Sequence, residues 1–125
     1  MAGFAQSAPN AVLMTFAEEE LKRSIGGRVL DIGCGAGRNA VPLARLGWKV
    51  VGTDLSWPML CAAASRTHQD QLDHRLHVVL APMERIPARD PSFDLVIAHG
   101  IWNLARSGAH FRQALDEATR VAKPG

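Results

Sequence analysis

Residues 28–37 read Arg-Val-Leu-Asp-Ile-Gly-Cys-Gly-Ala-Gly, a short and largely apolar run that leads directly into three glycines. The first five residues predict a buried strand, and the glycines at 33, 35 and 37 predict a tight turn into a helix. Glycine lets the backbone bend sharply and lets a ligand lie against it without meeting a Cβ atom. A strand that enters a helix through such a turn is typical of α/β folds.

The rest of the chain repeats this alternation. The pattern predicts helices over about 10–25, from near Asn39 to Leu46, from Ser56 to about Thr67 and over about 108–122, and strands over 28–32, 48–53, 76–80 and 93–98. Prolines in the segment 81–92 argue against a helix there. Strands rich in Val, Ile and Leu are typical of a parallel sheet that is covered on both faces. The sequence therefore predicts an α/β protein with a doubly wound parallel sheet of about four strands.

Three features follow predicted strands, on the edge where open parallel sheets bind ligands. The glycine turn follows the first strand, Asp54 follows the second, and Met83-Glu84 follows the third. A carboxylate at Asp54 can accept hydrogen bonds from both hydroxyls of a ribose. Each feature alone has a plain alternative: a tight turn, a helix-entry residue beside Ser56, or an ordinary loop. Together, in this order on one edge, they indicate a ligand of the nucleoside type.

The spacing of the glycines distinguishes between the possible classes of nucleoside site. Dinucleotide sites use Gly-x-Gly-x-x-Gly, whereas this chain has Gly-x-Gly-x-Gly followed by Arg38. The spacing disfavours a pyrophosphate ligand and leaves an NAD-binding dehydrogenase domain as a weaker alternative. A Walker-type phosphate loop is absent from the sequence, since no Gly-Lys-Ser/Thr follows.

Four motifs in register over residues 28–125 resemble the class I S-adenosylmethionine-dependent methyltransferases of small-molecule type. The matching stretches are 29–37, 52–56, 84–87 with 92–96, and 120–125. The resemblance implies a Rossmann-like fold, S-adenosyl-L-methionine as cofactor and methyl transfer to a small-molecule acceptor. The family's sheet has seven strands, so this chain of 125 residues is expected to be incomplete at its C-terminus. A binding module without catalysis is the main alternative to an enzyme.

The resemblance also implies roles for individual residues. The implied cofactor-binding residues are Asp31, Gly33, Cys34, Gly35, Gly37, Asp54, Leu55, Met83, Glu84, Ala98 and His99. Those of the first motif would frame the methionine portion, and Asp54 would hold the ribose. Leu55 and Met83 would pack against the adenine, with Glu84 beside it. The carbonyl at Ala98-His99 would face the methionine ammonium group.

This chain departs from the family pattern at one position. The resemblance also does not identify the catalytic residues. The family often has an Asp near position 82 that receives the adenine amino group, whereas this chain has Pro82. Methyl transfer needs alignment more than a base, so a base is optional. His99 is the one candidate base, with Trp102 and Asn103 near the acceptor, although His99 has a structural alternative as a strand-end residue. His110 is expected to be a solvated helix residue.

Composition limits the other functions. Fourteen Lys and Arg against twelve Asp and Glu give a net charge of +2, which is too small to indicate a nucleic-acid surface. Two cysteines lack zinc-site spacing, no metal is expected, and no apolar run is long enough to span a membrane. We expect a cytoplasmic protein with a leader over 1–9 and one domain over 10–125. Its fourth strand, as an open hydrophobic edge, predicts self-association.

Overall fold

A computed structural model of the chain describes residues 11–23, 27–98 and 105–123. Within these ranges there are four helices and four strands, which alternate as far as the third strand. They are α1 (Ala11–Arg23), β1 (Arg28–Ile32), α2 (Ala40–Leu46), β2 (Lys49–Asp54), α3 (Trp57–Gln69), β3 (Leu76–Leu80), β4 (Leu95–Ile97) and α4 (Gly108–Val121). Every predicted helix and strand is present. The predicted leader over 1–9 lies outside the described residues.

The four strands form one parallel sheet in the order β3-β2-β1-β4. The chain therefore runs outward from β1 to β3 and then returns to the other side of β1. In open α/β sheets, the crevice for a ligand lies at such a reversal, beyond the carboxyl ends of the strands. The structure confirms the predicted doubly wound sheet and places its reversal beside the glycine turn.

Helices cover both faces of this sheet. Neighbouring residues of β1 point to opposite faces, so the strand contacts the helices on each side. Val29 packs in a core cluster with residues of α1 and α2, including Ala17 and Leu43. Leu30 packs in a second cluster with Ala114 and Val121 of α4. Apolar residues on both sides of a strand explain why β1 reads as a continuous hydrophobic run.

The glycine turn leads into α2 through residues that suit the start of a helix. Asn39 precedes the first helical residue, and Pro42 is the third residue of the helix. Because the first N–H groups of a helix have no intrahelical partner, a proline there removes no hydrogen bond. Gly47 ends the helix at φ 117°, a left-handed conformation that glycine adopts without strain.

The fourth strand is shorter than the predicted span of 93–98. Phe93 forms a separate parallel bridge with Ala122 instead of extending β4. The amides of Ser92 and Phe93 both donate to the carbonyl of Val121, at 2.7 and 2.9 Å, and that of Lys123 donates to the carbonyl of Phe93 at 2.8 Å. The residues at the end of α4 and after it thus pair with Phe93, and Phe93 is not part of β4.

The connection from β3 to β4 contains no helix and is fastened to α4. Arg120 donates to the carbonyls of Ile86 and Ala88, both at 2.9 Å. Glu117 accepts from the amide of Ile86 at 2.8 Å and also pairs with Arg120 at 2.8 Å. Two side chains of one helix therefore hold the backbone of the segment that follows Met83 and Glu84.

The approach of the glycine turn to β2 depends on Gly52. A Cβ atom at position 52 would lie 2.7 Å from Cys34 Sγ and 2.9 Å from Cys34 Cβ. We expect Gly52→Ala to lower the free energy of unfolding by about 1–3 kcal/mol, because neither atom belongs to a long flexible side chain. Urea unfolding followed by circular dichroism measures this change.

Gly108→Ala is the matched control, since a Cβ atom there meets nothing within 4 Å. Its free energy of unfolding should equal the parent value or exceed it by up to about 1 kcal/mol, because alanine favours a helix more than glycine does. Equal stabilities of the two variants would contradict the contact between Gly52 and Cys34.

Candidate functional site

The glycine turn is bound to the end of the neighbouring strand. The amides of Gly33 and Cys34 both donate to the carbonyl of Thr53, at 2.8 and 2.9 Å. Gly33, Gly35 and Gly37 have φ values of 74°, 56° and 89°. These left-handed conformations strain residues that carry a Cβ atom, so the three glycines are required by the path of the turn.

Asp54 joins the glycine turn to the start of α3. Its Oδ2 accepts from the amide of Gly35 at 2.9 Å, and its Oδ1 accepts from the amide of Ser56 at 2.8 Å. Ser56 in turn caps α3, as its hydroxyl accepts from the amide of Met59 at 3.4 Å. Asp54 therefore serves as a helix-entry residue. Each carboxylate oxygen has a further lone pair for a ligand.

A cavity of about 170 Å³ opens beside Asp54 at the carboxyl edge of the sheet. Residues from β1, β2, the segment after β3 and α4 line it. They are Ile32, Gly33, Thr53, Asp54, Leu55, Ala81, Met83, Glu84 and His110. Five residues predicted to bind a cofactor thus meet in one cavity, although they come from three separate parts of the sequence.

The other predicted residues lie elsewhere. Asp31 in β1 and Cys34 within the turn are both buried, and neither is among the residues that line the cavity, nor are Gly35 and Gly37. Ala98 directly follows β4 and is half-buried. His99, Trp102 and Asn103 fall outside the described residues.

The buried carboxyl of Asp31 sits next to a second acid. Burial, and then the negative charge of Asp54, raises the pKa of Asp31 to about 7. Within the described part of the chain, no hydrogen bond to its carboxyl group lowers this value. A positive charge placed near Asp31 would favour its ionised form.

His110 was expected to be solvated, and this expectation was wrong. Its side chain is 12% exposed, and its Nε2 lies 3.0 Å from Glu84 Oε1. On the other side of the ring, Nδ1 accepts from the amide of Arg106 at 3.0 Å. The cause is tertiary: α4 begins at the cavity, so its first turn faces the segment after β3. Helical spacing within α4 carries no signal of that contact.

Glu84 is held in its ionised form. The nearby His110 ring, its own backbone amide and the charge of Arg106 keep the pKa of Glu84 below its usual range. Arg106 Nη2 lies 3.7 Å from Glu84 Oε2. Glu84 therefore offers the cavity a carboxylate that can only accept hydrogen bonds.

In residues 11–23, 27–98 and 105–123, no cluster of three or more His, Cys, Asp or Glu side chains could hold a metal ion. None of the helices described there is long and apolar enough to cross a membrane.

Comparisons with known proteins connect this site to one family. The profile of a family described as "Methyltransferase domain" matches residues 29–125. The ubiquinone/menaquinone biosynthesis C-methyltransferase of Geobacter sulfurreducens is 37% identical over 109 residues, which cover 84% of this chain and 41% of that protein. The malonyl-[acyl-carrier protein] O-methyltransferase of Salmonella typhimurium is 37% identical over 125 residues, which cover 96% of this chain and 46% of that protein. The chain spans about half the length of the curated relatives it matches.

Two solved methyltransferase structures are also similar to this chain. A putative S-adenosyl-L-methionine-dependent methyltransferase from Methanococcus maripaludis superposes with a TM-score of 0.75 at 26% identity, covering 90% of this chain and 51% of that one. A glycopeptide N-methyltransferase solved with sinefungin has a TM-score of 0.73 at 27% identity, covering 95% of this chain and 48% of that one.

The raised pKa of Asp31 predicts a pH-dependent stability. Between about pH 4 and pH 7 the unfolded chain releases this proton while the folded chain keeps it, so the free energy of unfolding falls as pH rises. Asp31→Asn removes this titration. We expect the variant to gain stability over the parent as pH rises, by more than about 1 kcal/mol at pH 8.

Urea unfolding at pH 5, 6, 7 and 8 measures this difference. Asp116→Asn, on the exposed side of α4, controls for the loss of one negative charge. A stability difference between Asp31→Asn and the parent that is constant across this pH range would contradict the prediction.

Proposed function

The chain belongs to the methyltransferase domain family, and from this premise we propose that it binds S-adenosylmethionine and forms part of an enzyme that methylates a small molecule. The observation that carries the proposal is the cavity at the carboxyl edge of the sheet. There a glycine turn, a carboxylate and apolar side chains meet beside the reversal of strand order. This is the combination that a nucleoside with an amino-acid tail requires.

The described residues fit such a ligand part by part. We assign the backbone of the glycine turn, which includes Cys34, and the preceding Asp31 to the methionine portion. Asp54 would accept hydrogen bonds from the ribose hydroxyls through the lone pairs that Gly35 and Ser56 leave free. Leu55, with 68% of its surface exposed, and the buried Met83 would pack against the two faces of the adenine.

Charge supports the same assignment. The bound donor supplies a methyl group that is already activated on a positively charged sulfur, and it also carries an ammonium group. Burial and the charge of Asp54 raise the pKa of Asp31, so the site without a ligand holds a carboxyl group that a nearby cation would ionise. We infer that the cationic donor stabilises the ionised form of Asp31 when it binds.

Alignment accounts for most of the catalysis we propose. Holding a donor and an acceptor in line can supply about 7–11 kcal/mol without a covalent step. His99 is retained as the candidate base, and the carbonyl at Ala98-His99 as the partner of the methionine ammonium group. A base would add about 10²–10⁴-fold.

The acceptor is proposed only as a class. Among similar proteins, the names include a C-methyltransferase, an O-methyltransferase and an N-methyltransferase. The accepting atom therefore differs among proteins that share this domain. We propose a small-molecule acceptor without assigning its reactive atom.

The proposal also covers where the protein is located and whether it self-associates. We propose a cytoplasmic protein, a setting that suits the free and exposed Cys61, and no nucleic-acid partner. We also propose self-association through β4, because no strand among the described residues pairs with the outer edge of Leu95–Ile97. Sedimentation velocity at several concentrations tests this; a single monomeric species throughout would contradict it.

Calorimetric titration with S-adenosylmethionine, S-adenosylhomocysteine and NAD tests the ligand. We expect the first two to bind and NAD not to bind. Tight NAD binding without a response to the other two would overturn the assignment. Incubation with methyl-labelled donor and a pool of small metabolites then separates an enzyme from a binding module, since donor binding without labelled product would favour the module.

Asp54→Ala tests the ribose contact. We expect donor binding to weaken by more than about 1.5 kcal/mol, because a charge-assisted hydrogen bond is lost. Asp94→Ala is the matched control: Asp94 also accepts from a backbone amide, that of Arg28 at 2.9 Å, but at the opposite edge of the sheet. Unchanged affinity in a folded Asp54→Ala protein would remove Asp54 from the site.

A further inference from the structure

A second cavity, of about 280 Å³, lies against the same face of the sheet as α4. Its floor is formed by Leu30, Val51 and Val79, one residue from each of three neighbouring strands. Of the residues that line it, Thr53 alone also lines the cavity beside Asp54. The second cavity is therefore a neighbour of the proposed donor site and not a part of it.

The connection from β3 to β4 forms the opposite wall of the second cavity. Side chains of α4 hold this connection at Ile86 and Ala88, and it contains no helix that would fill the space above the strands. Leu30 is fully buried, whereas Val51 is half-buried and Val79 is 36% exposed. Apolar surface of β2 and β3 is thus accessible, and its burial by an apolar group is favourable.

Two cationic side chains line the second cavity, and neither is neutralised within the described part of the chain. Arg28 and Arg89 form no ion pair there, although all twelve Asp and Glu of the sequence lie within it. Asp90, the residue after Arg89, pairs instead with α4. Asp94 gives one carboxylate oxygen to the amide of Arg28 and the other to Lys123. Both guanidinium groups are therefore available to an anion from outside the chain.

The two arginines lie at the same end of the second cavity. The guanidinium carbon of Arg28 lies 5.9 Å from the centre of the Phe93 ring, a distance at which cation–π attraction stabilises its position. The hydroxyl of the preceding residue, Ser92, donates to the carbonyl of Arg89. Because stacking on a ring face leaves the in-plane N–H donors of a guanidinium free, Arg28 can still bind an anion.

We propose that the second cavity binds a small carboxylate with an apolar body, of the class of medium-chain fatty acids. The carboxylate pairs with Arg28 and Arg89. The apolar chain lies on the floor formed by β1, β2 and β3. Exposed ion pairs alone contribute little, so the site requires both the charge and the apolar body of the ligand. This inference is independent of the proposed donor binding.

The length of the second cavity suits such a ligand. Arg28 is the first residue of β1, and Thr53 lies opposite Ile32, the last residue of that strand. The cavity therefore extends along four residues of a strand, or about 13 Å. An extended octanoate fits within this length, with its carboxylate beside Arg28.

Titration of the isotopically labelled chain with octanoate, followed by the NMR shifts of its backbone amides, tests the site. We expect saturable shifts centred on Val51, Val79 and residues 86–93. Acetate lacks the apolar chain and octanol lacks the charge. Both should bind at least about tenfold more weakly than octanoate.

Substitution of the arginines tests the charge. Arg28→Met combined with Arg89→Met keeps apolar bulk and should weaken octanoate binding at least about fivefold, while octanol binding stays within about twofold. Arg89→Met alone preserves the contact between Arg28 and Phe93, and it should weaken octanoate binding at least about twofold. Arg112→Met, on the exposed side of α4 and outside the cavity, is the matched control.

Substitution of the floor tests the apolar contact. Val79→Gln places an amide at a partly exposed position and leaves both arginines in place. It should weaken octanoate binding at least about threefold, because less apolar surface is buried. Melting temperatures of all variants verify folding.

Each contrary outcome identifies the part of the inference that is wrong. Octanol that binds as tightly as octanoate, or a folded double variant with unchanged octanoate affinity, would overturn the role of the arginines. Acetate or inorganic phosphate that binds as tightly would reduce the cavity to an anion site and overturn the proposal. So would shifts centred on residues 33–37, or shifts at the cavity that depend on protein concentration alone and thus indicate a second copy of the chain. Failure to bind S-adenosylmethionine would overturn the proposed function and leave this inference intact.

Discussion

Three hydrogen bonds attach the turn after β1 to the end of β2, and the rest of the site depends on them. Two amides of the turn converge on the Thr53 carbonyl, and a third reaches the Asp54 carboxylate. Because β1 and β2 are parallel neighbours, these bonds place a glycine backbone and a carboxylate at the same edge. The cavity forms where this fixed corner meets the segment after β3.

The elements nearest this corner could be predicted from sequence. The strand at 28–32 matches its predicted span, and α2 begins one residue after the predicted Asn39, because glycines, a proline and an apolar run are local signals. The start of β4 could not be predicted, since Phe93 pairs with Ala122 from a distant part of the chain. His110 was missed for the same reason: its burial depends on where α4 docks.

Burying Asp31 beside Asp54 costs stability in the protein without a ligand. One carboxyl group is buried beside another, and both the burial and the neighbouring charge raise the pKa of Asp31. Such an arrangement favours the protonated form of Asp31 in the empty protein. Conflicts of this kind are typical of functional sites, where a ligand relieves what the fold alone does not.

Arg120 and Glu117 of α4 act on the cavity indirectly, because neither residue lines it. They hold the backbone at Ile86 and Ala88, just beyond the wall formed by Met83 and Glu84. The wall is therefore preorganised, and a ligand need not spend binding energy on ordering it. Helix α4 and this segment would shift as one rigid body, so substitutions far along α4 could tune affinity remotely.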